Sequence, residues 1–376
     1  MDSREALIQL NQVHGLGSVM IHRLLSALGS AEAVLAAPLS AWRELLGRFG
    51  TDDVVEGLRR AGQGEGLAEE LERARKRNAQ VRTLLDADYP ALLRQISDPP
   101  PVLYVRGTLR EEDEAAVAIV GTRAATPYGL AAARSLAGEL GRAGVTVVSG
   151  LAEGIDAAGH EGALEGGGRT IAVVGHGLST LYPARHVKLA ERVASSGAVV
   201  SEFPMWMPPA QMNFPRRNRV IAGLSLGVIV VEAPLKSGAL ITAHEAAEQG
   251  REVFGVPGPI TSRASQGVNA LLRDGAGVVT GAEDILHALA SKLDEVLKRY
   301  RAPKAEVEGE RRFSFPRLSE EESQVFGQVP TANGTTVDTL AAATDLPPAR
   351  LLSILTELEI KGVIRQMPGK GFTRSR

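Results

Sequence analysis

Cysteine is absent from all 376 residues, which removes disulfides, thiolate metal sites and thiol nucleophiles together. Aromatic residues are scarce at 4%, so each ring near a charged loop stands out against a sparse background. Charge of one sign is also missing. Lys plus Arg number 42 and Asp plus Glu 44, for a net −2. Any site for a polyanion must therefore be a local patch and not a global field. No apolar run approaches the roughly 18 residues of a membrane span. Met1–Gln12 carries acids and no long apolar stretch, unlike a signal peptide. The expectation is a cytoplasmic protein with no membrane partner. What remains, 44% hydrophobic and 23% charged, is ordinary globular composition, at a length that suggests two or three domains.

Residues 1–82 read as helical, with apolar positions at helical spacing through Ala6-Leu7-Leu10 and Met20-Ile21-Leu24-Leu25-Leu28. Gly15-Leu16-Gly17 before a helix resembles a helix-hairpin-helix turn, as in a SAM-like domain. Such a turn can offer N–H groups to phosphate or serve as a tight connection. Residues 83–290 then alternate short apolar, β-branched strands with helices. Strands are expected at Val102–Val105, Ala116–Val120, Val145–Ser149, Thr170–Val174, Ala198–Ser201, Val228–Val231, Glu252–Val256 and Val278–Val279. This is the pattern of a parallel sheet covered on both faces, an α/β, Rossmann-like, doubly wound and mainly parallel fold. Residues 291–317, charged and without apolar period, read as a linker that extends the preceding helix. Residues 318–376 have the outline of a winged helix: a short helix, a helix-turn-helix pattern around Asp345-Leu346-Pro347, and a hairpin-like tail from Val363 to Phe372. A winged helix that reads DNA and one that serves protein contact both fit.

The segment from Asn213 to Gly223 carries the densest chemistry. Arg216, Arg217 and Arg219 follow Phe214-Pro215, surround Asn218, and run into an apolar strand. Cations so close to a core repel one another and lose hydration, which points to an anionic counterpart; planar guanidinium groups suit phosphate. In open α/β sheets ligands bind beyond the carboxyl ends of the strands. The loops there carry Gly121-Thr122-Arg123, Ser149-Gly150, Gly175-His176-Gly177, Glu202-Phe203, Glu232 to Ser237-Gly238, and Pro257-Gly258. Glycine, serine and helix N-termini with interspersed arginine form a phosphate-binding rim.

Other ligands fit less well. The first loop lacks G-x-G-x-x-G with a following acid, and no G-x-x-x-x-G-K-[ST] occurs, which excludes a dinucleotide fingerprint and a P-loop. Ser149, Asp156 and His160 mimic a nucleophile triad, but Asp156 reads as a helix cap and His160 as a packed residue. His176 and His186 lack a third metal ligand. Glu202 and Glu232 read as groups that orient arginines. No catalytic residue, metal or cofactor is assigned. Single-stranded nucleic acid fits best: Arg123, Arg185, Lys188, Arg216, Arg217 and Arg219 can track a backbone while Tyr182, Phe203, Trp206 or Phe214 meet bases. The candidate site is Gly121, Thr122, Arg123, Ser149, Gly150, Arg185, Lys188, Phe214, Arg216, Arg217, Asn218, Arg219, Ser237 and Gly238.

Several long motifs carry a family likeness. Val117-Ala118-Ile119-Val120-Gly121-Thr122-Arg123, Ser149-Gly150-Leu151-Ala152-Glu153-Gly154-Ile155-Asp156 with His160, and Phe214-Pro215-Arg216-Arg217-Asn218-Arg219 resemble the bacterial DNA-processing protein A family. So do Ser237-Gly238-Ala239-Leu240-Ile241-Thr242 and Gly267 to Ala276. The resemblance implies a non-enzymatic protein that binds single-stranded DNA, forms a homodimer, and protects incoming DNA and loads the RecA recombinase in natural transformation. Single-strand-binding protein is a further implied partner. The family's DNA-binding positions correspond to Arg123, Arg185, Lys188 and the arginine run. Ser179 and His186 depart from the family pattern around Tyr182-Pro183. Two rivals stand beside this reading: an enzyme that cleaves nucleoside monophosphates, needing Glu202 or Glu232 over a ribose, and a transcription factor acting through the tail.

Overall fold

The computed structural model of the chain describes residues 1–300, 319–330, 335–344, 346–360, 364–367 and 371–374. It divides into two compact units, Met1–Ala305 and Glu306–Arg376. The expected linker beyond residue 300, Asp345, and Lys361, Lys370 and Arg376 of the basic tail lie outside the described residues.

The first unit is built on a nine-stranded sheet. Its strands are β1 (Ala79–Thr83), β2 (Val102–Gly107), β3 (Ala116–Val120), β4 (Thr146–Ser149), β5 (Thr170–Val173), β6 (Ala198–Ser201), β7 (Gly227–Val230), β8 (Glu252–Gly255) and β9 (Gly277–Val278). The spatial order is β1-β2-β6-β5-β4-β3-β7-β8-β9. β3 to β9 are parallel, whereas β1 pairs antiparallel with β2, and β2 antiparallel with β6. The chain winds outward from β3 to β6, then returns to place β7 on the other side of β3. That reversal between β3 and β7 is where an open α/β sheet leaves a crevice.

Both faces of the central strands are covered, and the sequence shows why. In β3 every side chain is apolar; Val117 and Ile119 pack with the helices Pro127–Arg142 and Ile155–Glu165. Ala116, Ala118 and Val120 pack on the opposite face with the helices Asn213–Gly223 and Gly238–Glu248. Period-two alternation across a pleated strand produces this division. β1 was not expected from sequence, because Ala79-Gln80-Val81-Arg82-Thr83 is polar and half-exposed, as an edge strand can be.

Residues 1–78 form six α-helices. Their apolar faces, including Ile8, Leu10, Ile21, Leu24 and Leu58, join one core with Val102, Tyr104, Leu151, Val174, Val199 and Met205 of the sheet and its loops. Polar links reinforce it: Asn11 Nδ2 donates to the Glu202 carbonyl at 3.0 Å, and the Met205 N–H donates to Glu70 Oε1 at 2.6 Å.

The second unit has the helices Glu320–Gln328, Val337–Thr344 and Pro348–Ile360 with a sheet ordered β10 (Thr335–Thr336), β12 (Gly371–Arg374), β11 (Ile364–Met367). Val325, Leu340, Leu351, Leu355, Ile364 and Phe372 form its core. It is a winged helix.

Candidate nucleic-acid interface

The loops after β3 and β7 are tied together at the crevice. The Thr122 N–H donates to the Glu232 carbonyl at 2.7 Å. The Glu232 carboxylate accepts from the Thr126 N–H at 2.8 Å and from the Thr126 hydroxyl, holding the start of helix Pro127–Arg142. Glu232 therefore does not orient an arginine, contrary to the sequence reading. The missed signal was Thr126-Pro127, an N-cap hydroxyl followed by proline at the first helical position. Gly129 is required here, since a Cβ would lie 2.3 Å from the Glu232 carboxylate.

A cavity of about 300 Å³ opens at this point, lined by Gly121, Thr122, Arg123, Asp156, Phe214, Arg217, Asn218, Ser237 and Gly238, among others. Ser237 caps helix Gly238–Glu248, its hydroxyl accepting from the Ala239 N–H at 3.3 Å. Asn218 reaches the same helix start through Nδ2, which donates to the Gly238 carbonyl at 3.3 Å.

The arginine run divides by direction. Successive helix positions turn by about 100°, so Arg217 points away from Arg216 and Arg219, which lie three apart on adjoining sides. Arg217 is 5% exposed. Its Nη1 donates to the Gly150 carbonyl at 2.7 Å and to the Val173 carbonyl, and Nε donates to Asn218 Oδ1 at 3.2 Å. Burial pulls its pKa down to about 10, opposed by Asp156 and aided by Arg123. Asp156, raised by burial and lowered by Arg217, accepts from the Gly150 N–H at 3.1 Å. The two charges sit on either side of Gly150, where a Cβ would lie 2.5 Å from Arg217 Nη1 and 2.6 Å from Asp156 Oδ2. Asp156 is thus a counter-charge within the helix start, and the cap position belongs to Gly154.

Arg219 is not brought to the rim. Its Nε meets Asp98 at 3.0 Å, and Nη2 binds Glu202 and donates to Ser18 Oγ at 3.1 Å. It anchors the helical front to the sheet. Arg216 is exposed, lies 5.3 Å over the Phe203 ring, and approaches Gly17.

Arg123 is the contrast. It is exposed and has no carboxylate within ion-pair distance among the described residues. Its guanidinium lies 5.0 Å over the Phe214 ring, and Arg217 lies 6.0 Å from the same ring. The structure thus brings Arg123, Phe214 and Arg217 together from distant parts of the chain. Ser149 is buried, its hydroxyl donating to the Ile119 carbonyl at 2.6 Å, so it meets no histidine. His160 is fully buried, pairs with Thr170 Oγ1 at 2.7 Å, and is lowered by burial to about 3. Arg185 is exposed and bound to Glu153, while Lys188 is exposed. Leu151 between these loops holds a left-handed φ of +57°, rare for a branched side chain. No group of three or more metal-ligating side chains occurs among the described residues.

The family model for DNA recombination-mediator protein A matches residues 80–290. The chain belongs to that family. The model of the DprA winged helix domain matches residues 313–370 as well. Among relatives of this mediator family, Protein Smf of Synechocystis is 36% identical over 394 residues, covering 97% of both chains. Protein Smf of Escherichia coli is 42% identical over 301 residues, covering 78% of this chain and 77% of its own. DNA processing protein A of Streptococcus pneumoniae superposes with a TM-score of 0.65 at 33% identity, over 76% of this chain and 97% of that one. The Helicobacter pylori protein, described for its single-stranded DNA binding mode, gives a TM-score of 0.51 at 32% identity, over 57% and 97%. Every residue lining the switch-point cavity lies inside the segment matched by the recombination-mediator model.

Proposed function

We propose that this chain is a single-stranded DNA-binding recombination mediator, not an enzyme, that grips the strand at the β3–β7 crevice. The observation that carries this is Arg123, exposed, with no carboxylate within ion-pair distance among the described residues, and set beside Phe214 and Arg217 where the strand order reverses. The helix start at Ser237 lines the same opening and favours anions. The Helicobacter pylori relative, described for its single-stranded DNA binding mode, supports the same ligand class. In this reading the protein works as a cytoplasmic homodimer, protects incoming DNA during transformation, and hands it to RecA, with single-strand-binding protein as a neighbour. Residues 1–78 brace the sheet, 79–300 carry it and hold DNA, and the second unit adds the winged helix. The candidate carboxylates of a nucleotide-cleaving enzyme are occupied, Glu232 by Thr126 and Glu202 by Arg219, which favours the mediator.

A salt titration of fluorescent oligo(dT) binding tests the proposal. Arg123→Glu should weaken binding and reduce the log–log salt slope by roughly 0.7, the value of one lost phosphate contact on a single strand. A slope equal to that of the parent protein would remove Arg123 from the interface.

A further inference from the structure

Four rings named from sequence lie near the cationic loops, and the structure treats them differently. Phe203 is buried beneath Arg216. Trp206 lines a separate cleft with the acidic residues of the helical front, such as Glu69 and Glu70, a poor place for a polyanion. Phe214 is partly buried, lies against Gly175, and already carries the guanidinium groups of Arg123 and Arg217 over its ring. Tyr182 is 47% exposed, and among the described residues no cation lies over its ring. It lines a shallow groove of about 30 Å³ together with Arg123, Gly150, Ala152, Gly175 and Phe214. Arg123, Ala152 and Phe214 line both this groove and the switch-point cavity, so the two adjoin.

Resting on the DNA-binding reading above, we propose that Tyr182 is a base-stacking platform: it takes the face of an unstacked nucleobase whose flanking phosphate is held at Arg123. The backbone of this residue is fixed in advance. The Tyr182 N–H donates to His176 Nε2 at 3.3 Å, which leaves Nδ1 to donate to the Gly177 carbonyl at 2.9 Å. Burial keeps His176 neutral by lowering its pKa, consistent with that tautomer. A backbone held this way does not have to be ordered when a base lands on the ring. The groove is shallow and the ring is open, so the contact is by π-face and not by base edge. It accepts any base, as suits a protein that must bind DNA of arbitrary sequence.

The test compares fluorescent oligo(dT) with an oligonucleotide of the same backbone that is abasic throughout, using the full chain. Tyr182→Ala should weaken oligo(dT) binding about 5- to 150-fold, the range for one lost stacked base. It should leave abasic binding and both salt slopes unchanged, and Tyr182→Trp should keep oligo(dT) binding. Equal losses on both oligonucleotides, or no loss on either, overturn the proposal. Arg123→Glu separates the two levels: if it weakens neither oligonucleotide, the DNA-binding edge itself is wrong, whatever Tyr182 does.

Discussion

Arg123 and Arg217 look interchangeable in sequence, and the structure predicts opposite consequences for removing them. Arg217 supplies two hydrogen bonds to the carbonyls of Gly150 and Val173 at the ends of β4 and β5, and it faces buried Asp156. Truncation to Ala leaves two carbonyls without their donor, at about 1–3 kcal/mol each. It also leaves Asp156 without its nearest cation. The expected loss is about 3–5 kcal/mol of unfolding free energy, as for breaking one side of a buried charge network. Arg217→Lys should fall between, because a single ammonium does not reproduce the planar fork. Arg123→Ala should stay within about 0.5 kcal/mol of the parent, as exposed substitutions do. Equilibrium urea denaturation followed by the fluorescence of Trp42 and Trp206 and by circular dichroism measures all three. An Arg217→Ala protein as stable as the parent would refute the reasoning, because its guanidinium would then not be holding the β4 and β5 loops.

Two further outcomes are expected. His160 is held neutral in the fold, lowered to about 3 by burial, against an ordinary value of 6.5. A depressed histidine contributes stability that is present above pH 6.5 and is lost as pH falls toward 3, at about 1.4 kcal/mol per unit. The parent should therefore lose about 2 kcal/mol between pH 6.5 and 5, and His160→Gln should flatten that limb in pH-dependent urea melts. A limb of unchanged steepness would assign the acid sensitivity elsewhere. Second, Glu153 neutralises Arg185 beside the groove. Glu153→Gln should tighten oligo(dT) binding and steepen the salt slope by up to about 0.7; anisotropy titrations that show neither would place Arg185 off the DNA path.

The parallel sheet was legible because its strands are short, apolar and β-branched, and Ala116–Val120 and Ala198–Ser201 match expectation to the residue. β1 was not, because Ala79-Gln80-Val81-Arg82-Thr83 alternates only weakly, with two small or mid-sized apolar side chains across five residues. The convergence of Arg123 with Arg217 followed from the rule that ligands bind beyond the carboxyl ends of strands. The division of labour inside the arginine run did not. Which of three neighbouring guanidinium groups meets Asp98 and Glu202 depends on where distant segments pack, and no local pattern encodes that. Glu232 misled for the same reason: a carboxylate after a strand can serve a cation or a helix start, and only the tertiary position of Thr126 decides.

The stitching between the front helices and the β6 connector has a practical corollary. Asn11, Ser18 and Glu70 clasp the stretch from Glu202 to Arg219, so the peptide that presents Phe214 and Arg217 is moored at its far side by residues from the opening of the chain. Excising those helices to isolate a minimal sheet would strip Val102, Tyr104 and Val199 of their cover and cast off that mooring. A shortened protein of this kind would measure a slackened grip, and its weakness would say nothing about whether the amputated part ever touches a nucleotide.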